Sequence, residues 1–416
     1  MRHPGRQPGA EKPAALPELM TLSSGEPVTT GEDWARRRQE ILALYSRHIY
    51  GAMPDPAGER IAWRLSEEPR TGGTLLTVEV TAGGRSASVE ALVTLPRGPA
   101  PAGGWPFFVE YAPWHYRSFF TRQWVTGISP NCRYAAERGY AGLQYDPTRA
   151  AEDSGKRTGA FFHLYPHIPG DPEADRGVLL AWAWGVSRIL DALEQGAGET
   201  LGIHPGLSLV AGVSRWGKSA AVAGAYDPRI RVTIPVCSGL GGTAVFRTDN
   251  HGKTYDLRRL GGPADWVNAS RNEPLSNLQG GEGYWFCGAF AGFDGPESLP
   301  VDQHMLCALA AGPDRHLVLV TGITSEGWNN TEGQCLAWLA SQPVWDLLGV
   351  PGHNNLLLHL DGHALLPTDM EAILDYCDSR LLGREPPRPL PPMDGALFLE
   401  DNRARLDPLF APYLPR

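Results

Sequence analysis

From Pro106 to His363 the chain alternates short apolar runs with amphipathic stretches, and this alternation limits the fold more than any other feature. Pro106-Phe107-Phe108-Val109-Glu110-Tyr111, Ala141 to Tyr145, Leu207 to Ala211, Ile230 to Val236, Leu317 to Thr321 and Leu356 to Leu360 read as strands. Most of these runs are continuous rather than alternating, the pattern of strands covered on both faces. Between them, Arg176 to Glu194 sets Leu179, Trp182, Val186, Ile189, Leu190 and Leu193 on one helical face. Ser219 to Ala225 and about Thr331 to Leu348 read as further helices. Such alternation predicts an α/β chain, a three-layer αβα sandwich with helices on both faces of a mostly parallel central sheet.

The residues before Pro106 follow other patterns. Residues 1–17, rich in Pro, Gly and charge, are expected to be a disordered leader. Thr30 to Tyr50 has a capping threonine, acidic Glu32 and Asp33 at its start, and Trp34, Ile41, Leu42 and Tyr45 at helical spacing. Ile61 to Leu95 changes to alternating, β-branched runs split by glycine turns, which predicts antiparallel strands. One catalytic domain over 18–384 is expected, with an aperiodic inserted lid or substrate-binding region at about 242–297 and a Pro-rich tail at 385–416. The loop from about Asp146 to Asp175 is long enough to build part of a site.

Composition narrows the function. Hydrophobic residues at 42% and charged residues at 20% fit a globular protein, and a formal net charge of -9 argues against a nucleic-acid surface. No run approaches the eighteen apolar residues of a membrane span. Basic residues at Met1 to Gly9 lack an apolar stretch behind them, so a cytoplasmic protein is expected as written, or a secreted one if a signal was trimmed. A monomer is expected. Cys132, Cys237, Cys287, Cys307, Cys335 and Cys377 show no metal-ligand spacing, and no phosphate-loop, dinucleotide or H-E-x-x-H motif occurs. The chain is therefore expected to use no metal and no cofactor.

The chemistry converges on Gly212-Val213-Ser214-Arg215-Trp216-Gly217-Lys218. An apolar strand precedes it and an Ala/Gly-rich helix follows, so Ser214 stands on a sharp strand-to-helix turn. Its spacing, G-x-S-x-x-G, meets the usual G-x-S-x-G elbow only in part, and a structural turn serine is an equal alternative at this point. Two later strand ends carry the missing partners: Glu326 in Thr324-Ser325-Glu326 and His363 in Asp361-Gly362-His363. The order Ser, acid, His is that of the α/β-hydrolases. Asp361 also stands near and is an alternative acid.

These residues resemble the motifs of the glucuronoyl esterases, carbohydrate esterase family 15, which have the α/β-hydrolase fold. The likeness continues in Ser238-Gly239-Leu240-Gly241-Gly242, Leu299 to His304, Ser325-Glu326-Gly327-Trp328 and Gly362-His363. The resemblance implies a serine esterase that cleaves esters of 4-O-methyl-glucuronic acid, as between glucuronoxylan and lignin alcohols, without a metal. It implies Ser214 as nucleophile, His363 as base and Arg215 in the oxyanion hole. Lys218, Trp328, Glu282 and Gln303 would contact the sugar. Asp302-Gln303-His304 also reads as the cap of an apolar helix, and Trp114, His115 and Tyr116 as loop packing or site border. Fungal members carry the triad acid where this chain has Cys237, which leaves Glu326, at the place used by bacterial members, as the expected acid. Gly327 replaces the bulkier residue common in the family. The competing functions are a carbohydrate deacetylase such as an acetyl xylan esterase, and a non-catalytic carbohydrate-binding protein on a hydrolase scaffold.

Overall fold

The computed structural model describes residues 15–117 and 122–394. Nine strands form its central sheet: β1 Glu59–Glu67, β2 Thr74–Ala82, β3 Arg85–Thr94, β4 Trp105–Tyr111, β5 Ala141–Tyr145, β6 Ile203–Val213, β7 Val232–Val236, β8 His316–Gly322 and β9 Asn354–His359. The spatial order is β1-β2-β3-β5-β4-β6-β7-β8-β9. β1, β2, β3 and β5 pair antiparallel, and from β5 to β9 every pairing is parallel, as the two sequence patterns require.

Side chains of the buried strands alternate between two cores, because successive residues of a strand point to opposite faces. Phe107, Val109, Val210, Leu317 and Leu319 join one core, whereas Phe108, Leu209, Ala211, Val318 and Val320 join the other. The first core is covered by α1 Gly31–His48, α3 Val178–Ala192, α4 Arg215–Tyr226, α5 Gln303–Leu309 and α6 Thr331–Leu347. The second is covered by α2 Pro130–Glu137 and α7 Pro367–Arg380. The three-layer sandwich follows from that division.

Local signals place several elements. Thr30 and Asp33 form a reciprocal capping box at the start of α1. Trp182 and Trp184 of α3 are fully buried, as expected of core tryptophans. All six cysteines are free and buried. Of the expected leader, residues 1–14 lie outside the described residues, while Leu16 is buried and the Pro17 carbonyl contacts His304 Nε2 at 3.0 Å. Of the expected tail, residues 395–416 lie outside the described residues, and Met393 accepts a hydrogen bond from the Leu356 amide at 2.7 Å. The region 242–297 holds a small hairpin, Thr254–Tyr255 with Trp266–Val267, a short helix Leu275–Gln279 and single 3-10 turns. No described helix is long and apolar enough to cross a membrane.

Candidate active site

The parallel strands β6 to β9 end on the same side, and each delivers one element of the site there. After β6, Ser214 takes φ 62° and ψ −126°, a conformation that non-glycine residues adopt only when their surroundings force it. The force is close packing beneath the turn. A Cβ on Gly212 would lie 2.3 Å from the Trp216 carbonyl oxygen, and one on Gly217 would lie 2.6 Å from that of Val236. The Ser214 amide donates to the Val236 carbonyl at 2.9 Å, tying the turn to β7. α4 begins at the next residue, and its first N–H groups have no acceptor within the helix, so they point donors and a positive dipole end at this spot.

Glu326, beyond β8, and His363, beyond β9, meet in space. His363 Nδ1 lies 2.9 Å from Glu326 Oε1, with the carboxylate fully buried and the imidazole 42% exposed. Asn329 donates to the other carboxylate oxygen, Oε2. With Nδ1–H given to Glu326, Nε2 becomes the free acceptor of the ring. Among the described residues Ser214 Oγ takes part in no hydrogen bond, including to His363, and such contacts commonly tighten only when substrate arrives. Asp361 is exposed and accepts from Thr324 Oγ1 at 3.0 Å. Its carboxyl stays below the usual carboxylate range through hydrogen bonds from Thr324 and Ser325, and it is not brought to His363.

Cys237, where the resemblance places an acid in fungal members, directly follows β7 with φ 46° and is fully buried. Its sulfur, a Glu326 oxygen and a His363 nitrogen lie within 4.8 Å of one another. Burial and the neighbouring Glu326 push its thiol pKa far up, so it stays protonated.

In the residue after Ser214, Arg215 Nη1 donates to Asp153 Oδ2 at 2.6 Å, and the guanidinium lies 5.1 Å from the Trp285 ring centroid. Asp153 also accepts from Tyr284 Oη at 3.0 Å and Trp285 Nε1 at 2.9 Å. Sequence reasoning did not single Asp153 out; its only signal was the length of the loop containing it.

The sugar-contact residues fall into two groups. Trp328 is 48% exposed, and Glu282 is half-buried beside Glu273 and shares Asn277 with it: Asn277 Nδ2 donates to Glu282 Oε2 at 3.1 Å and to Glu273 Oε1 at 2.9 Å. Burial first, and the Glu273 carboxylate second, push Glu282 up to about 7, against the pull of Lys218 and Arg215. Lys218, expected to contact the sugar, is only 3% exposed. Its three donors face the Ser238 carbonyl at 2.9 Å, the Leu240 carbonyl at 2.6 Å and Glu273 Oε2 at 3.4 Å. It fastens the Gly-rich turn to α4.

Gln303 is also fully buried, donating to Tyr50 Oη at 3.1 Å and to the Gly242 carbonyl, while Asp302 caps its helix by accepting from the Gln303 amide at 2.7 Å. The capping alternative thus describes Asp302, and Gln303 stands behind the turn. Gly327 has a local cause, since a Cβ there would lie 2.2 Å from Asn268 Oδ1 in the inserted region. Trp114 is buried, whereas Tyr116 and Trp124 are exposed on a small hairpin, with Trp124 stacked on His115 at 4.6 Å.

Comparison with known proteins agrees with this architecture. The family model described as glucuronyl esterase, fungi, matches residues 78–349. A multidomain esterase of Ruminococcus flavefaciens is 35% identical over 404 residues, 95% of this chain, and the chain spans 50% of that protein's length. A 4-O-methyl-glucuronoyl methylesterase of Schizophyllum commune is 32% identical over 89% of this chain and 84% of its own. Among solved structures, a carbohydrate esterase family 15 glucuronoyl esterase from Caldicellulosiruptor kristjansonii superposes with a TM-score of 0.81 at 35% identity, covering 95% of this chain and 96% of that one. A glucuronoyl esterase mutant from Sporotrichum thermophile, in complex with methyl 4-O-methyl-β-D-glucopyranuronate, gives 0.69 at 25% identity over 95% and 96% of the two chains. With its α/β sheet and a strained serine turn at the ends of its parallel strands, the chain belongs to the glucuronoyl esterase family.

Proposed function

We propose that this chain is a serine carboxylic-ester hydrolase that cleaves esters of glucuronic acid and its 4-O-methyl form, as found where glucuronoxylan is joined to lignin alcohols. The observation that carries the reading is the His363–Glu326 pair at 2.9 Å, set beyond the ends of β8 and β9 on the side of the sheet where the Ser214 turn follows β6. In this reading His363 Nε2 takes the Ser214 proton as Oγ attacks the ester carbonyl, and Glu326 holds the tautomer and stabilises the imidazolium. The tetrahedral oxyanion forms against the start of α4, where Arg215 adds a fixed positive charge. The imidazolium then protonates the leaving alcohol, and water hydrolyses the glucuronoyl-serine ester by the same route in reverse. Trp328 and Glu282 border the uronate ring, and Lys218 acts from behind them by holding Glu273 and the Gly-rich turn. The acid expected at Glu326 rather than Asp361 is supported by their different partners.

The experiment compares the native chain with Ser214→Ala on an alkyl glucuronate and on acetylated xylan. Hydrolysis of the glucuronate alone, lost in the folded variant, is the expected result. Activity retained by Ser214→Ala refutes a serine mechanism, and preference for acetylated xylan refutes the uronate reading.

A further inference from the structure

Cys237 lies next to Glu326 and His363 but takes no part in ester hydrolysis. Its sulfur, the Glu326 carboxylate and a His363 ring nitrogen all lie within 4.8 Å of one another. Thiolate, carboxylate and imidazole are the three ligand types that zinc accepts, and three protein ligands with one open position are a common arrangement around it. Zinc bonds of about 2.3 Å to sulfur and about 2.0–2.2 Å to nitrogen and oxygen place tetrahedral ligands about 3.5 Å apart. The spacings, all within 4.8 Å, need to contract by at most about 1.3 Å, and the 2.9 Å His363–Glu326 contact to open by about 0.6 Å, shifts within side-chain reach.

The ligands are also held in place. The Cys237 amide donates to the Val320 carbonyl at 2.8 Å, locking its strand end to β8, and Asn329 steadies Glu326. Cys237 and Glu326 are both fully buried, while the His363 side chain is 42% exposed and gives an ion its way in.

We propose that Cys237, Glu326 and His363 form a binding site for a borderline or soft divalent cation such as Zn2+ or Cd2+, and that occupancy stops ester hydrolysis. On binding, the Cys237 S–H bond breaks, its proton leaves to solvent and the sulfur's electron pair bonds the metal. His363 gives a ring lone pair and Glu326 one oxygen, so the cation's two charges are matched by thiolate and carboxylate. The histidine that would accept the serine proton and the acid that orients it are then both occupied. Mg2+ and Ca2+ want six or more oxygen ligands, and the site offers one carboxylate, so it discriminates against them. Cation binding stands independently of the esterase reading; only the inhibition rests on it.

The test uses the full chain and three probes: Zn2+ by calorimetry, Co2+ by absorption, and activity on an alkyl glucuronate. The native protein is expected to take up one Zn2+, to show a thiolate-to-cobalt charge-transfer band with Co2+, and to lose activity in Zn2+ but not Mg2+, with recovery in EDTA. Cys237→Ser is expected to keep its basal activity, lack the band and bind Zn2+ more weakly by about 100-fold, the upper range for losing even an outer-shell partner. Cys237→Ala serves the same purpose if the serine variant fails to fold. Equal Zn2+ binding by native and Cys237 variants, or a native Co2+ spectrum without the thiolate band, overturns the site. A native chain that is inactive when metal-free yet binds one Zn2+ through Cys237 supports the site and refutes the esterase reading instead.

Discussion

His363 Nδ1 and Glu326 Oε1 lie 2.9 Å apart although 37 positions separate the residues in the chain, and the carboxylate has no solvent exposure. Neighbouring parallel strands bring them together, since β8 and β9 pair in register from Leu317↔Asn354 to Gly322↔His359 and both residues follow shortly after. A buried carboxylate accepts such a contact because the imidazole and Asn329 both donate to it.

Glu326→Gln is therefore expected to fold, since the amide fills the same space, but to lower kcat by about 10³–10⁴-fold, the scale seen when a triad carboxylate becomes an amide. Asp361→Asn is expected to change kcat by less than about threefold, because Asp361 bonds to Thr324 and not to the histidine. Steady-state kinetics on an alkyl glucuronate checks both, and the opposite ranking would identify Asp361 as the acid.

Parts of this arrangement were legible in the sequence for definite reasons. Strand-helix alternation and Gly212 and Gly217 flanking Ser214 are local signals, and local signals survive folding. The Glu326–His363 contact depends on strand order, which only the Ser, acid, His sequence hinted at. Asp153 and Glu273 went unnoticed because they sit in loops, and Asn277 because its five-residue helix Leu275–Gln279 is too short to show periodicity. Helix α7 escaped notice despite Pro367 at its start, Asp369 in its first turn and Arg380 in its last. Lys218 stands on α4, but sequence does not reveal which way a long side chain runs, and this one turns inward to three acceptors.

The Ser214 turn makes a prediction about stability. Its φ of 62° with ψ −126° suits glycine far better than serine. Ser214→Gly is expected to be inactive yet more stable than Ser214→Ala by about 1 kcal/mol, the cost of one strained non-glycine residue. Gly212→Ala is expected to lose about 1–3 kcal/mol and most activity, because its Cβ would meet the Trp216 backbone at 2.3 Å. Denaturant unfolding of the three variants measures both effects.

Asp153 is expected to act through Arg215. Its two oxygens gather Arg215, Tyr284 and Trp285, so the guanidinium of the residue after Ser214 is held rather than free. Asp153→Asn should lower kcat by about tenfold with KM nearly unchanged, a loss felt mainly in the transition state. Arg215→Ala should cost about 10²-fold, and adding Asp153→Asn to it should cost little more. A double-mutant cycle on kcat/KM reads the coupling, and additive losses would show that Asp153 does not work through the arginine.

Glu282 gives the pH dependence. Burial and the adjacent Glu273 raise its carboxyl from 4.5 to about 7, so the folded state holds this proton more tightly than the unfolded chain does. Its stabilising contribution is full below pH 4.5 and is lost as pH rises toward about 7, where the folded carboxyl also ionises. The loss is roughly 1–2 kcal/mol once solvent screening of a half-buried group is allowed for. Glu282→Gln cannot ionise and should therefore lose less stability than the native chain between pH 5 and pH 8, about that amount less. Its amide keeps polar atoms beside Asn277, so the variant is expected to fold. Melting temperatures across that range, compared between native and Glu282→Gln proteins, decide the point: parallel curves would place the titration elsewhere.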